Sequence, residues 1–499
     1  MTWASLAFTA ILGFFLSPFI VHHLGDQQYG VWALIGSVTR YMWLMDLGVR
    51  GAVTRYVARN HAKLDHNEAG AYISAALATF SGLACLVLMV GFVLSFLIGN
   101  LFSLPPQLVP AARAGLILVS IDIGLNLFTG VYGGVLEALQ RYDLLATNTI
   151  IGEIIRAAGL VLVLRSGWGI VGVALAALAS TAYQIAGQRF LSYRVYPELR
   201  ISLRRADRGH VRSIITFSSI AMFLHLSNAV ISWADPVIIG AFLPVTMITF
   251  FAIGSALLTY VQPFSNAVLQ MVGPPTAAAQ ALGETDRVQR ILLQSGRLSS
   301  LIVLPVTITL MIRGGSFLGL WMGQQYAALS GRVLLILAIS LSFSAPRRII
   351  QTTFISLARH RHLAPYYVSE MLINLALSIY LVQVFGIIGD AWGTTIPSVA
   401  FSCAVVPLVT QRIIGIPVTQ IWLAFWIRPA LSMLPFTAGT AAVELFWPAG
   451  TLVEFFLQVA LVLPFAALGG WYIALRPEER KRLSDAYLRP LQAAFSRTP

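Results

Sequence analysis

Charged side chains are scarce in this chain of 499 residues. Only 11% of the residues are Asp, Glu, Lys or Arg, whereas 57% are hydrophobic. A soluble globular protein carries about 25% charged residues, and one core could not hide this much apolar surface from water. The composition therefore excludes a soluble globular protein and predicts that lipid surrounds most of the chain.

Lysine and cysteine are also nearly absent. Lys63 and Lys481 are the two lysines, so arginine supplies almost all of the basic charge behind the formal net charge of +13. The arginines lie between apolar runs, where the positive-inside rule places them, and this pattern excludes nucleic acid as the partner. Cys85 and Cys403 lie inside apolar runs, which argues against a disulfide framework and against a metal site.

Sequence motifs for catalysis and for ATP hydrolysis are missing as well. The chain has no GxxxxGK[ST] loop, no paired carboxylates in a polar loop and no loop long enough to hold a soluble active site. We therefore expect a protein that is not an enzyme and that needs no cofactor. No cleavable signal is apparent, and the first apolar run begins so close to Met1 that we expect a short native tail to be missing.

Long apolar runs dominate what is present. A helix needs about 20 mainly apolar residues to cross a bilayer, and alternating ten-residue strands of a barrel do not occur. The expected fold class is therefore all-α, a polytopic membrane protein with about 14 transmembrane helices. The predicted spans are 2–21, 30–57, 71–99, 112–136, 146–165, 169–192, 213–236, 246–272, 297–317, 333–357, 364–385, 391–411, 421–443 and 451–475.

Arginine placement predicts the orientation of these spans. One side of the membrane holds clusters such as Arg50, Arg55 and Arg59, the run from Arg189 to Arg212, and the tail from Arg476 to Arg497. The opposite loops hold only four, namely Arg113, Arg165, Arg313 and Arg332. We therefore expect both termini in the cytoplasm.

The longest polar segment between apolar runs, residues 193–212, divides the chain into two similar halves. A shift of about 218 residues brings Pro18-Phe-Ile-Val onto Pro236-Val-Ile-Ile without a gap, which favours a duplicated bundle with parallel repeats. The expected organisation is an N-terminal lobe, 1–192; a basic cytoplasmic linker, 193–212; a C-terminal lobe, 213–411; two additional spans, 412–475; and a cytoplasmic tail, 476–499.

Several short motifs resemble one membrane-protein family. They are Leu24-Gly25 with Tyr29-Gly30, Leu44-Met-Asp46-Leu-Gly48, Thr54-Arg55-Tyr56-Val57-Ala58, Asp235-Pro-Val-Ile-Ile-Gly240, and Leu320-Trp321-Met-Gly323 with Tyr326. With these motifs the chain resembles the bacterial Wzx-type polysaccharide flippases, which share the MOP exporter superfamily with the multidrug and toxin extrusion transporters.

The resemblance implies two six-helix lobes around a central cavity. It also implies that an undecaprenyl-pyrophosphate-linked oligosaccharide, as used for O-antigen and lipopolysaccharide, moves across the bacterial inner membrane by alternating access. The partners would be membrane lipid, the lipid-linked oligosaccharide and polysaccharide polymerase or chain-length proteins.

Charged residues inside the apolar runs are the candidate site. Charge at mid-depth in a membrane costs a few kcal/mol, so it usually faces a protein interior or a wet cavity. Guanidinium groups offer bidentate donors to phosphate oxygens, which predicts a cavity anion site. The anion-site candidates are Arg40, Arg156, Arg347 and Arg348; the candidate acidic partners or ion-coupling groups are Asp46, Asp122, Glu153 and Asp235.

A purely structural role for the same charges is equally open. Arg40 and Asp122 lie at similar depth and could pair, and Glu153 and Arg156, three residues apart, share a helix face. Pro346 precedes Arg347 and Arg348 and is expected to break the helix and re-aim both side chains. Two other functions also stay open: a cation-coupled drug or metabolite exporter of the same superfamily, and a subunit of a polysaccharide assembly complex that does not transport.

Overall fold

The computed structural model describes residues 2–42, 49–199, 207, 209–211, 233–475, 477, 479 and 480. Within these ranges the chain is helical and contains no strand. Lipid offers no hydrogen-bond partners to the backbone, so apolar segments that cross it must satisfy their own amide and carbonyl groups, as helices do. The expectation of an all-α membrane protein is therefore confirmed.

The chain forms two compact units, residues 1–252 and 253–499. Whether the lobes and linker divide as expected from the sequence stays a prediction. The helices of the first unit, with the one that crosses the boundary given last, are α1 (Thr2–Arg40), α2 (Val49–Ala62), α3 (His66–Leu101), α4 (Val109–Ala138), α5 (Tyr142–Arg165), α6 (Gly169–Val195), α7 (Asp235–Phe242) and α8 (Val245–Ala281).

The second unit continues with helices of very different length. They are α9 (Thr285–Trp321), α10 (Gln324–Ala327), α11 (Leu329–Ser356), α12 (Ala364–Ala400), α13 (Val406–Ile414), α14 (Val418–Trp422), α15 (Arg428–Ser432), α16 (Leu434–Phe446) and α17 (Leu452–Gly469). Single π turns follow α12, α14 and α17, and each continues directly from the helix before it.

Ten helical segments in the described ranges are long and apolar enough to cross a bilayer, or eleven if a bent pair counts as one span. The expected number of 14 is consistent with this count. One segment, 364–414, contains two expected spans, and α1 contains the first expected span and the start of the second. The expected span 213–236 lies almost entirely outside the described residues.

Two glycines explain why expected loops appear as continuous helices. Gly25 in α1 has φ +70° and Gly386 in α12 has φ +62°, so each marks a kink between two helical stretches. A left-handed backbone is accessible to glycine at little cost because it lacks a Cβ. The chain therefore turns from one span toward the next at a single residue.

Each unit has its own apolar core. In the first unit, α2, α3 and α4 enclose residues such as Val57, Phe80 and Val131. In the second, Leu292, Phe354 and Phe425 belong to a core built from α9, α11 and the segments after α12. Lipid tails are as apolar as these side chains, so close van der Waals packing rather than removal from water stabilises both cores inside the membrane.

A polar and aromatic cluster closes one end of the first unit. The Tyr196 hydroxyl, just after α6, lies 2.6 Å from Nδ1 of His66 at the start of α3. Burial raises the pKa of Tyr196, so the phenol keeps its proton and remains available as a hydrogen-bond donor. This contact holds the end of α6 against the start of α3.

Candidate functional site

Arg40 is the last residue of α1, and its side chain is exposed. The sequence suggested that it pairs with Asp122, but no ion pair within the described residues involves either side chain. Asp122 instead interacts with the hydroxyl of Thr181 and with the charge of Arg156. The suggested pairing is therefore wrong because the α4 carboxyl has neighbours on α5 and α6.

Arg156 is neutralised by its own helix. Its Nη2 donates to Oε2 of Glu153 at 2.6 Å and its Nε donates to the same oxygen at 2.9 Å. The shared face expected from the spacing of three residues is confirmed. With Asp122 also nearby, one guanidinium faces two carboxylates, so this cluster has no surplus of positive charge.

Arg347 lies in a buried ion pair on the second unit. Its Nη1 donates to both carboxylate oxygens of Glu370, each at 2.8 Å, and its guanidinium carbon lies 5.5 Å from the centre of the Tyr367 ring. Glu370 is 1% exposed and Arg347 is 8% exposed. The pair joins α11 to α12, and removal of either partner would leave a buried charge uncompensated.

Arg348 differs from its neighbour. It is half-buried, and none of the described carboxylates forms an ion pair with it. Helix α11 runs from Leu329 to Ser356 without a non-helical residue at Pro346. The expected break at this proline is therefore wrong. The two adjacent arginines point in different directions because consecutive side chains of one continuous helix do not share a face.

Arg40 and Arg348 are called the open arginines below, meaning that the described residues offer neither of them a carboxylate. Arg40 belongs to the first unit and Arg348 to the second. The four anion-site candidates thus separate into two paired arginines, Arg156 and Arg347, and the two open ones. An anion needs a cation that is not already neutralised, so the open arginines are the stronger candidates.

The remaining acidic candidates have different positions. Asp46 lies outside the described residues. Asp235 is 7% exposed, begins α7, and contributes to the electrostatic environment of Tyr41. A carboxylate at the first position of a helix is stabilised by the positive end of the helix dipole, and this position fits the charge of Asp235.

Several ion pairs in the described residues were not expected from the sequence, and two of them join helices outside the candidate site. In the first unit, Nη2 of Arg50 donates to Oε1 of Glu137 at 2.6 Å, and the Thr54 hydroxyl donates to Oε2 at 3.2 Å. Arg50 belongs to the arginines expected on the cytoplasmic side, and the sequence signal for the pair is Glu137 at the end of an apolar run. The pair joins α2 to α4.

Arg313 is fully buried, although its charge suggested a loop outside the membrane. Its Nε donates to Oε2 of Glu444 at 2.8 Å, its Nη2 donates to Oε1 of Gln458, and its guanidinium carbon lies 4.5 Å from the centre of the Phe455 ring. The assignment of Arg313 to an outer loop is therefore wrong. It ties α9 to α16 and α17, the two helices expected to lie outside the duplication.

Most of the chain matches one known protein family. The model of the polysaccharide biosynthesis protein family matches residues 22–331, which is more than half of the chain. The chain belongs to this family. The match confirms the resemblance noted from the sequence motifs.

Two curated relatives are similar over most of their length. One, from Haloferax volcanii, is named "Probable low-salt glycan biosynthesis flippase Agl15"; it is 23% identical over 401 residues, covering 78% of each chain. The other, from Shigella flexneri, is named as an O-antigen transporter; it is 21% identical over 382 residues, covering 75% of this chain and 87% of the relative.

Solved structures share the fold. The lipid II flippase MurJ in an inward closed conformation aligns with a TM-score of 0.72 at 14% identity, covering 94% of this chain and 98% of MurJ. An inward-facing multidrug resistance MATE family transporter of the MOP superfamily aligns with a TM-score of 0.66 at 15% identity, covering 83% and 94%. At such low identity the likeness establishes a MurJ- and MATE-like fold.

Proposed function

We propose that this protein is a flippase for surface polysaccharide synthesis, which moves an undecaprenyl-pyrophosphate-linked oligosaccharide across the membrane. Membership of the polysaccharide biosynthesis family supports this proposal, as do the two relatives named as a glycan flippase and an O-antigen transporter. The membrane is the bacterial inner membrane, and both termini are cytoplasmic. The protein acts as a transporter and not as an enzyme.

The observation that carries the proposal is that, among the four anion-site candidates, each unit presents one open arginine. A buried cation is costly in a membrane protein and is normally neutralised, as Glu370 neutralises Arg347. A cation that keeps no carboxylate can instead exchange water for the oxygens of a passing pyrophosphate. Arg40 and Arg348 are therefore each proposed to contact the pyrophosphate during transport, while Arg156 and Arg347 fix the helices of their own units.

Alternating access is the proposed mechanism. The protein alternates between two states, so that the bound sugar and pyrophosphate are exposed first to the cytoplasm and then to the outside, while the lipid chain stays in the bilayer. No ATP-binding loop occurs in the sequence, so an ion gradient or the membrane potential supplies the driving force. Polysaccharide polymerase and chain-length proteins are the proposed downstream partners.

Substitution of the open arginines in the native host tests the proposal. Arg40→Ala and Arg348→Ala are each expected to abolish surface polysaccharide while the amount of protein in the membrane stays normal. Arg165→Ala is the matched control, because Arg165 is exposed at the end of α5 and the described residues give it no ion pair either. It should leave the polysaccharide unchanged.

Two results would count against the proposal. Normal polysaccharide in both open-arginine variants would remove the arginines from the mechanism. Resistance to cationic drugs on expression, with no effect of deletion on polysaccharide, would instead indicate a cation-coupled exporter. Cavity arginines repel cationic drugs, so the proposal predicts no such resistance.

A further inference from the structure

Helix α6 carries a groove on one of its faces. A cavity of about 630 Å³ lies along it, within the usual range for small-molecule sites. Ala182 and Ala186 are four residues apart, so they lie on one face and form a shallow floor. Ile185 and Phe190 of α6 and Leu125 of α4 also line the groove. These lining side chains are apolar, so most of the groove suits a hydrocarbon chain.

One end of the groove is polar. Arg189 and Tyr193 complete its lining, and the phenol of Tyr132 on α4 interacts with both. Arg189 is exposed, and no acidic side chain in the described ranges forms an ion pair with it. A guanidinium and two phenols therefore lie together where the apolar floor ends. Such groups donate hydrogen bonds to phosphate oxygens.

The length of the groove fits one leaflet of a bilayer. From Ala182 to Tyr193 the helix rises about 16 Å, which is half of a hydrocarbon core of about 30 Å. The polar end leads into the arginine-rich linker, and the positive-inside rule places that end at the cytoplasmic surface. A lipid of the inner leaflet would therefore lie with its head group at Arg189 and its chain over the alanines.

We propose that the α6 groove binds the phosphorylated polyprenyl carrier of the substrate before transport, with the phosphate groups at Arg189 and Tyr193 and the hydrocarbon chain along Ala182 and Ala186. The phosphate groups reach the open arginines only in the later transport step. The inference rests on the proposed function, because that function supplies a lipid of this chemistry. A neutral hydrocarbon chain would leave the Arg189 guanidinium without an anion. A free phosphate would leave the apolar floor without an apolar group to contact. The occupant must therefore combine a hydrocarbon chain with an anionic head.

Lipid binding to the purified full-length chain tests this inference. Native mass spectrometry, or competition for a fluorescent lipid, compares undecaprenyl diphosphate with undecaprenol and with inorganic pyrophosphate. The wild type should bind the diphosphate lipid at least tenfold more tightly than either partial ligand. Arg189→Gln should reduce this affinity about tenfold, because a charge-assisted contact is lost, and Arg189→Lys should retain part of it.

Two further variants distinguish binding of the hydrocarbon chain from binding of the head group. Ala186→Trp fills the floor and should weaken binding of undecaprenyl diphosphate and undecaprenol alike. Arg194→Gln is the matched control, since Arg194 is exposed near the same end of α6 but does not line the groove. It should bind like the wild type. Thermal unfolding of each variant verifies that a loss of binding does not come from a loss of folding.

The result that would overturn the inference is equal affinity of wild type and Arg189→Gln for undecaprenyl diphosphate, or equally tight binding of inorganic pyrophosphate. A parallel transport assay keeps the two proposals distinct. Arg348→Ala should fail to transport the lipid, and in that background Arg189→Gln should still lower the affinity for undecaprenyl diphosphate about tenfold. If Arg189→Gln both binds and transports like the wild type while Arg348→Ala does not transport, the groove fails and the flippase function stands.

Discussion

Arginines with the same sequence setting have different roles once their neighbours are known. Arg347 and Arg348 are adjacent in α11, but Glu370 neutralises only the first. Both lie deep in one apolar run, so their sequence setting is the same. The carboxylate that distinguishes them is on another helix, 23 residues away, and sequence spacing does not show that contact.

The first prediction concerns the two adjacent arginines, Arg347 and Arg348. Arg347→Ala should lower the stability of the protein by about 3–5 kcal/mol, because the Glu370 carboxylate stays buried without its partner. Arg348→Ala should leave stability nearly unchanged and remove transport. Thermal unfolding in detergent and a transport assay measure the two effects separately.

A double variant is the control for this prediction. Arg347→Leu combined with Glu370→Leu should regain most of the lost stability, because apolar side chains replace buried ion pairs at little cost. If Arg347→Ala were as stable as the wild type, the buried pair would have no structural importance.

Arg313 gives a second prediction. Its three contacts with Glu444, Gln458 and Phe455 come from two helices, so Arg313→Ala should loosen α16 and α17 from α9. Arg313→Lys should also be destabilised, because an ammonium cannot form the forked contacts of a guanidinium. Limited proteolysis between α15 and α17 would measure the loosening. Unchanged cleavage in Arg313→Ala would contradict the assigned contact.

Glycines determine how the helical elements bend and pack. Gly25 and Gly386 allow kinks, whereas Gly134 on α4 lets α2 approach closely. A Cβ at Gly134 would lie 3.1 Å from Cγ1 of Val53 and 3.2 Å from the carbonyl oxygen of Arg50. The Arg50–Glu137 ion pair lies beside this contact, so packing and charge pairing both depend on a residue without a side chain.

The third prediction concerns this packing. Gly134→Val should cost about 1–3 kcal/mol, because overpacking forces α2 away from α4 and stretches the pair between Arg50 and Glu137. Gly36→Ala is the matched control, since no described atom lies within 4 Å of its added Cβ. It should be neutral or slightly stabilising. Equal thermal stability of Gly134→Val and the wild type would refute the close approach.

Gly25 gives a fourth prediction at the scale of the helix. Gly25→Ala should destabilise the chain by about 1–3 kcal/mol although its Cβ meets no described atom, because a backbone with φ +70° and ψ 168° is strained for any residue with a side chain. The comparison with Gly36→Ala isolates the backbone effect, since both sites are open and only one has positive φ. Equal stability of the two alanine variants would contradict the kink.

The fold class of the whole molecule could be predicted from the sequence more completely than the charge partners of its site residues. Apolar runs of bilayer length and scarce charge were enough to predict an all-α membrane protein, because lipid permits few alternatives. The boundaries were harder, since Gly25 and Gly386 turn the chain without a polar loop. Partners of buried charges, such as Glu370 for Arg347, depend on tertiary packing that one-dimensional spacing does not contain.

The direct test of the central claim is transport in proteoliposomes that contain the purified chain and a fluorescent undecaprenyl-pyrophosphate-linked oligosaccharide. Access of the sugar to an enzyme added outside reports movement between leaflets. We expect the wild type and Arg165→Ala to move the lipid, and we expect Arg40→Ala and Arg348→Ala, although folded, not to move it. Movement at the wild-type rate by both open-arginine variants, or no movement by the wild type under any ion gradient, would refute the proposed function.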